Sequence, residues 1–195
     1  MNARAAVLAV IDAANAADPN TVEWEGRRRP RAQLQGELAS AWLARLRGDA
    51  SDALAYAVRA HHIRRWTVER DDYPAGRSGY LRWRHALKQV HADALGEVLA
   101  PLGLPAASVG RARQLVSRAG LGTDPEAQTV EDCACLVFLQ TQYAELLERI
   151  VDDDRAEVIV RKTLAKMSPA AIALAGAVPV GDRGAVLLAR STARP

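Results

Sequence analysis

Ser78–Ala100, SGYLRWRHALKQVHADALGEVLA, is the stretch that decides the fold class. Tyr80, Trp83, Leu87, His91, Leu95 and Val98 recur every three or four residues, which is the period of one face of an α-helix. Ser78 suits an N-cap, and Pro101 with Gly103 closes the element. Working outward, the same period returns on both sides. Toward the N-terminus, Ser51 opens a helix through Leu54, Ala57, Val58 and His61-His62 to Trp66, and TVERDDYPAGRS forms the loop between the two. Before that, Leu34, Leu38, Trp42 and Leu46 describe a helix starting near Pro30 and ending before Gly48. Ala5–Ala17 is a first helix stopped by Asp18-Pro19, and TVEWEGRRRP, residues 21–30, reads as a polar loop.

Toward the C-terminus the spacing predicts a short basic helix over Ser108–Ala119, a long one from Gln128 to Ile150, and another from Asp152 through Leu164. Ser168-Pro169 opens a last short helix, with Ser168 as its N-cap and Lys166 as a helix-end charge. The tail 181–195, GDRGAVLLARSTARP, is expected to hold a helical turn or two and then become flexible. Residues 1–195 therefore form one all-α domain, a bundle of about seven to eight helices. Composition agrees. Of the chain, 49% is apolar but only 5% aromatic, and Ala and Leu, which lose little entropy in a helix, dominate.

Charge narrows the function. The net charge of +3 is too small for a general nucleic-acid coat. Arg59–His91 alone carries about +5, however, so the remainder is mildly acidic and the positive field is local. Within it Arg64, Arg65, Arg70, Arg77, Arg82, Arg84 and Lys88 are interleaved with Trp66, Tyr73, Tyr80 and Trp83. Guanidinium forks bind phosphate bidentately and aromatic rings stack on bases or on guanidinium, so Arg64, Arg65, Arg70, Arg77, Arg82, Arg84, Lys88, Trp66 and Tyr80 are the substrate-binding candidates. The plain structural alternative is a network of these arginines with Glu69, Asp71 and Asp72. Cys133 and Cys135, two apart on a predicted helix, point in different directions and do not form a disulfide together. That fits a reducing, cytoplasmic setting, and no apolar run approaches the ~20 residues of a membrane span.

Polar residues on apolar helix faces supply a second set of candidates. His62 and His91 lie on apolar faces, Asp132 begins the face continued by Leu136 and Leu139, and Glu37 borders Leu34 and Leu38. Imidazoles and carboxylates converging inside a bundle can share a divalent ion such as Mn, Fe, Zn or Mg. The order Glu37, His61-His62, Asp132 resembles the ligand order of HD-type phosphohydrolases, with Glu for the first His and His-His for the diagnostic His-Asp. This implies an HD-domain-like arrangement. The competing readings are hydrogen-bonded core histidines, Asp132 in a capping box with Thr129, and Glu37 in water.

The motifs HIRRW, ERDDYP, GRSGYLRWR, EDCACLVFL and KTLAKMS, with DAANAADPN and GELASAWL upstream, resemble in that order the uncharacterised family catalogued as domain of unknown function 4202, over roughly residues 8 to 170. The resemblance implies no activity. In that family's pattern His62, Arg64, Arg65 and Trp66 belong to the motif while His61 varies, which shifts weight from His61 to His62.

Together these readings lead to a metal-dependent hydrolase of a small phosphorylated molecule or nucleotide. His62, His91, Asp132 and Glu37 would be the ligands and Glu131 the proton acceptor. The alternatives are an anion-, RNA- or protein-binding helical module without activity, with only weak RNA binding expected, and an iron-dependent oxygenase. The oligomeric state is left undefined. A shared ion requires the donor atoms of His62, His91 and Asp132 to lie within about 5 Å of one another. Arg64 or Arg65, with at least two of Arg70, Arg77, Arg82 and Arg84, should border the same cavity.

Overall fold

The computed structural model describes residues 3–193, and among these residues ten α-helices carry the chain. They are α1 (Ala3–Asn15), α2 (Arg31–Leu46), α3 (Asp52–Arg59), α4 (Gly76–Leu99), α5 (Ala106–Val116), α6 (Pro125–Thr141), α7 (Tyr143–Arg149), α8 (Asp153–Leu164), α9 (Pro169–Ala175) and α10 (Gly181–Ala193). The fold is all-α, as the helical period implies. No helix among the described residues is long and apolar enough to cross a membrane.

The centre is α3. Its Leu54, Ala57 and Val58 are fully buried, and it packs on α1, α2, α5 and α6. Ser51 caps it as expected, its hydroxyl accepting from the Leu54 amide at 3.1 Å. The approach of α2 to the end of α3 depends on Gly36, where a Cβ would stand 2.4 Å from the Arg59 carbonyl oxygen. That carbonyl also accepts from Asn15 Nδ2 at 3.1 Å, so three helices meet where α3 ends. Gly79 serves similarly at the start of α4: a Cβ there would lie 1.7 Å from the Pro74 carbonyl oxygen.

Four expectations need correction. Thr21–Pro30 is a two-stranded antiparallel hairpin, β1 (Thr21–Trp24) and β2 (Arg27–Pro30), rather than a loop. Glu25 and Gly26 both take positive φ, +50° and +72°, which matches the tight turn whose twist suits paired strands. The helix from Ser51 ends at Arg59 instead of Trp66, and residues 60–64 form successive turns that finish on Arg64 at φ +50°. The long helix from Gln128 to Ile150 begins earlier, at Pro125, and breaks at Gln142 (φ −129°) into α6 and α7. Its N-cap is Asp124, whose side chain accepts from the Glu126 and Ala127 amides, so Thr129-x-x-Asp132 is not a capping box. Finally, residues 181–193 are a helix rather than a flexible tail. α10 buries Leu187 and Leu188 and packs on α8. The last two residues of that predicted tail, 194–195, lie outside the described residues.

Candidate functional site

Three helices and the turn after α3 form most of the wall of an open cavity of about 360 Å³, to which Arg118 after α5 and Gln142 and Leu146 at the α6–α7 break also contribute. Each helix contributes a stripe at helical spacing. From α4 come Tyr80, Arg84, Leu87, Lys88 and His91; from α6, Glu131, Ala134, Cys135 and Phe138; from α8 and the turn after it, Ile159, Lys162, Thr163 and Lys166. The turn after α3 adds His61, His62 and Arg65. A continuing helix would have pointed His61 and His62 about 100° apart. The turn lets consecutive imidazoles share a wall, with ring centroids 4.2 Å apart, and His91 stands 6.1 Å beyond His62.

All three imidazoles are oriented in the same way. Nδ1 of His61 lies 2.9 Å from the Val58 carbonyl oxygen, Nδ1 of His91 lies 2.6 Å from that of Ile63, and Nδ1 of His62 lies 2.8 Å from Oε1 of Gln35. A carbonyl oxygen only accepts, so each Nδ1 carries the proton and each Nε2 is left with its lone pair. Nε2 of His61 is buried and without a hydrogen-bond partner. Burial, followed by the nearby guanidinium of Arg118, holds His61 at about 3. Burial first, then the carbonyl bond acting the other way and the Arg118 charge, leaves His91 also at about 3. His62 is pushed well below the ordinary histidine value by burial and then by His61. The three rings are therefore neutral at physiological pH.

Around them stand six cations, Arg65, Arg84, Lys88, Arg118, Lys162 and Lys166, and a single carboxylate among the described lining residues, Glu131. Arg118 is buried, takes φ +57°, and donates from Nε to Glu131 at 2.6 Å and from Nη1 to the Val116 carbonyl at 3.0 Å. Burial works to raise the Glu131 carboxyl, but the charge and hydrogen bond of Arg118 outweigh it and hold the group below its usual range. Burial, then the neighbouring Arg84, lowers Arg65 to about 10, so it stays charged, and its guanidinium lies 4.6 Å from the Trp83 ring centroid. Lys88 is lowered by burial and then by Arg118. Burial pushes the Cys135 thiol up to about 12, which makes it inert as a nucleophile.

The predicted residues divide sharply. His62, His91, Glu131, Arg65, Arg84, Lys88 and Tyr80 line this cavity. The acidic half of the expected ligand set does not. Asp132 points to the other side of α6. Its Oδ1 accepts from Gln128 Nε2 at 2.9 Å and from the Ser168 amide at 2.8 Å, and its Oδ2 accepts from the Ser168 hydroxyl at 2.6 Å. It thereby anchors the cap of α9. Glu37 receives both bonds from one Arg29 nitrogen, at 2.8 and 2.9 Å. Among the described residues no group of three or more His, Cys, Asp or Glu is placed to hold a metal ion, so the HD-like arrangement is not assembled. The electrostatics agree, because a wall with six cations and one committed carboxylate repels a divalent cation.

Four of the expected arginines and Trp66 are absent from the cavity wall. Arg64 pairs with Glu97, Arg70 donates to the carbonyls of Tyr73 and Pro74, and Arg77 and Arg82 are exposed. Arg118, Lys162 and Lys166 also line the cavity although sequence reasoning did not single them out as site residues. For the two lysines a signal existed in the spacing 159, 162, 163, 166, which is an i, i+3, i+4, i+7 face. Arg118 had none, since its direction depends on a left-handed residue at the end of α5.

If Asp132 is a structural anchor, Asp132→Ala should lower the unfolding free energy by roughly 2–3 kcal/mol, the scale of losing hydrogen bonds to a buried charge. The cavity should keep its shape, because Asp132 does not line it. Urea denaturation measures the loss, and unchanged stability would contradict the anchoring role.

An all-α protein with an open cationic cavity lined by neutral histidines is the class that the fold and site define. The chain belongs to the family described as Domain of unknown function (DUF4202), whose model matches residues 5–188 and so includes most of α10. No curated protein and no solved structure matches the chain.

Proposed function

We propose that this cavity binds a small phosphorylated molecule and hydrolyses its phosphate ester. The observation that carries the reading is the convergence of six cations and three neutral imidazoles on one cavity of about 360 Å³, a size within the usual range for small-molecule sites. Of the six, Arg118 is buried and already paired with Glu131; Arg65, Arg84 and Lys88 are half-buried, and Lys162 and Lys166 are exposed at the rim. Like charges gathered around one space repel one another. A bound phosphate dianion would relieve that repulsion, and Arg65, Arg84 and Lys88 would hold its oxygens through charge-assisted bonds. His91 shares one face of α4 with Arg84 and Lys88, and its Nε2 lone pair suits it to accept a proton from the attacking water. As that water's oxygen bonds to phosphorus, the bond to the alcohol oxygen breaks. The alcohol leaves with a proton returned through the imidazolium or from solvent. The neighbouring dianion raises the imidazole's proton affinity toward neutrality, where acid–base catalysis works best. Glu131 is a poor proton acceptor while Arg118 holds it, and its part is to position that guanidinium. No step is assigned to a metal, because the residues present do not fit one.

The positive charge is gathered around one cavity rather than spread along a surface stripe, so tight binding of RNA is not expected. A second reading, a sensor that binds a phosphorylated molecule without turning it over, is favoured by Glu131 being tied to Arg118. Calorimetric titration with inorganic phosphate, together with phosphate release from a panel of monoesters after chelator treatment, tests both. The expected result is binding that weakens roughly ten- to a hundredfold in Arg84→Ala, the worth of one charge-assisted contact. Turnover should disappear in His91→Gln while phosphate binding remains. Binding without turnover on any ester favours the sensor, and absence of phosphate binding removes both readings.

A further inference from the structure

A second cavity of about 310 Å³ lies against the first, and the two share Phe138, Gln142 and Leu146. These residues flank the break between α6 and α7, so the break opens one wall to both spaces. A further link runs through Gln35. It lines the second cavity, while its Oε1 accepts from His62 on the wall of the first. The chemistry of the two cavities differs. The first is strongly cationic. In the second, Glu23 and Glu145 balance Arg31 and Arg149, leaving no net charge, and Trp24, Leu34 and Phe138 supply apolar surface. Polar groups remain there for hydrogen bonding: the Gln35 amide nitrogen, Gln142 and Thr141. Trp24 ends β1, pairs with Arg27 across the Glu25-Gly26 turn, and lines this cavity together with Leu34 and Gln35 of α2.

From these features we infer that the second cavity receives the uncharged, planar, hydrogen-bonding part of the same ligand, so that the phosphorylated molecule is a nucleoside monophosphate. The inference rests on the phosphate-binding role proposed above. A nucleobase is flat, carries no charge at neutral pH and offers donors and acceptors along its edge. A neutral space with a tryptophan face and an amide from Gln35 matches each property. The sugar would span the shared wall at Phe138 and Gln142. Stacking of a base on an aromatic side chain contributes on the order of a ten- to a hundredfold gain in affinity.

The test is calorimetric titration of the full chain with inorganic phosphate, ribose 5-phosphate, and the 5′-monophosphates of adenosine, guanosine, cytidine and uridine. At least one nucleotide is expected to bind ten times more tightly than ribose 5-phosphate, or better. Trp24→Ala should erase that difference while affinity for inorganic phosphate stays unchanged, and Trp24→Phe should keep most of it. Trp24 lies on the hairpin, half-buried and outside the hydrophobic core cluster, and urea denaturation of each variant confirms that the fold is kept. Equal affinity for ribose 5-phosphate and all four nucleotides, with phosphate still bound, overturns this inference and leaves the phosphate site standing. A nucleotide preference that survives Trp24→Ala overturns the placement of the base. Failure of phosphate to bind overturns the underlying reading and this inference with it.

Discussion

Glu131→Gln should lower the unfolding free energy by about 3–5 kcal/mol, the usual cost of removing one partner from a buried ion pair. The pair qualifies: Arg118 and Glu131 side chains are only 8% and 7% exposed, and the Nε–Oε2 distance is 2.6 Å. Gln preserves the shape and can still accept one hydrogen bond, so the loss measures the charge rather than the packing. The same variant should bind inorganic phosphate more tightly, because the cavity loses its negative charge and Arg118 becomes available to the anion. Stability falls while affinity rises. That combination separates a clamp from a catalytic base, since a base lost at position 131 would abolish turnover and leave stability nearly intact. Chemical denaturation and phosphate titration of the same preparation decide the matter.

Acid should have the second large effect. An unfolded histidine takes up a proton near pH 6.5, whereas His61 and His91 in the folded chain resist until about pH 3, and His62 is depressed as well. Between those limits the unfolded state binds more protons, so stability falls as pH falls. The full contribution is present above pH 6.5 and is withdrawn on the way down to about 3. Each imidazole contributes a slope of at most about 1.4 kcal/mol per pH unit, and three together about 4. A domain of ordinary stability would unfold near pH 5 on that slope. Unfolding free energies measured across pH 7.5 to 4.5 should show it, and His91→Leu should remove about a third of the slope. Added phosphate should flatten it further, because a dianion in the cavity stabilises the protonated rings. Constant stability down to pH 4.5 would mean that the rings are not buried neutral in solution.

Most of the fold was legible because helices advertise themselves locally. The stripe from Tyr80 to Val98, the N-caps Ser51 and Ser168, and the stop at Asp18-Pro19 are short-range signals that match the structure, whereas Ser78, the expected cap of α4, lies inside a helix that starts at Gly76 after Ala75. The errors share a cause in residues whose conformation is set by distant partners. The hairpin depended on a two-residue turn with positive φ at Glu25, which no local preference demands. Gln142 breaks a pattern that is helical on both sides. α10 is helical because Leu187 and Leu188 find an apolar surface to cover, a reward invisible in a terminal segment.

The site was half legible for the same reason. Periodicity assigns a side chain to a face of its own helix: it set His91 on the apolar stripe of α4, while Arg84 and Lys88 stood out only by their charge, and all three line the cavity. Which face looks into a cavity and which onto a neighbour is decided by packing. Asp132 and Glu131 are adjacent and equally buried, yet Glu131 reaches the cavity while Asp132 meets the Ser168 cap of α9. His61 and His62 share a wall only because α3 ends at Arg59. The sequence by itself determined the helices, the location of positive charge and the family. The tertiary structure alone decided that the charge encloses a cavity and that the carboxylates are spent elsewhere. A charged side chain binds whichever opposite partner the packed helices bring within reach, and that choice is not encoded within one turn of chain.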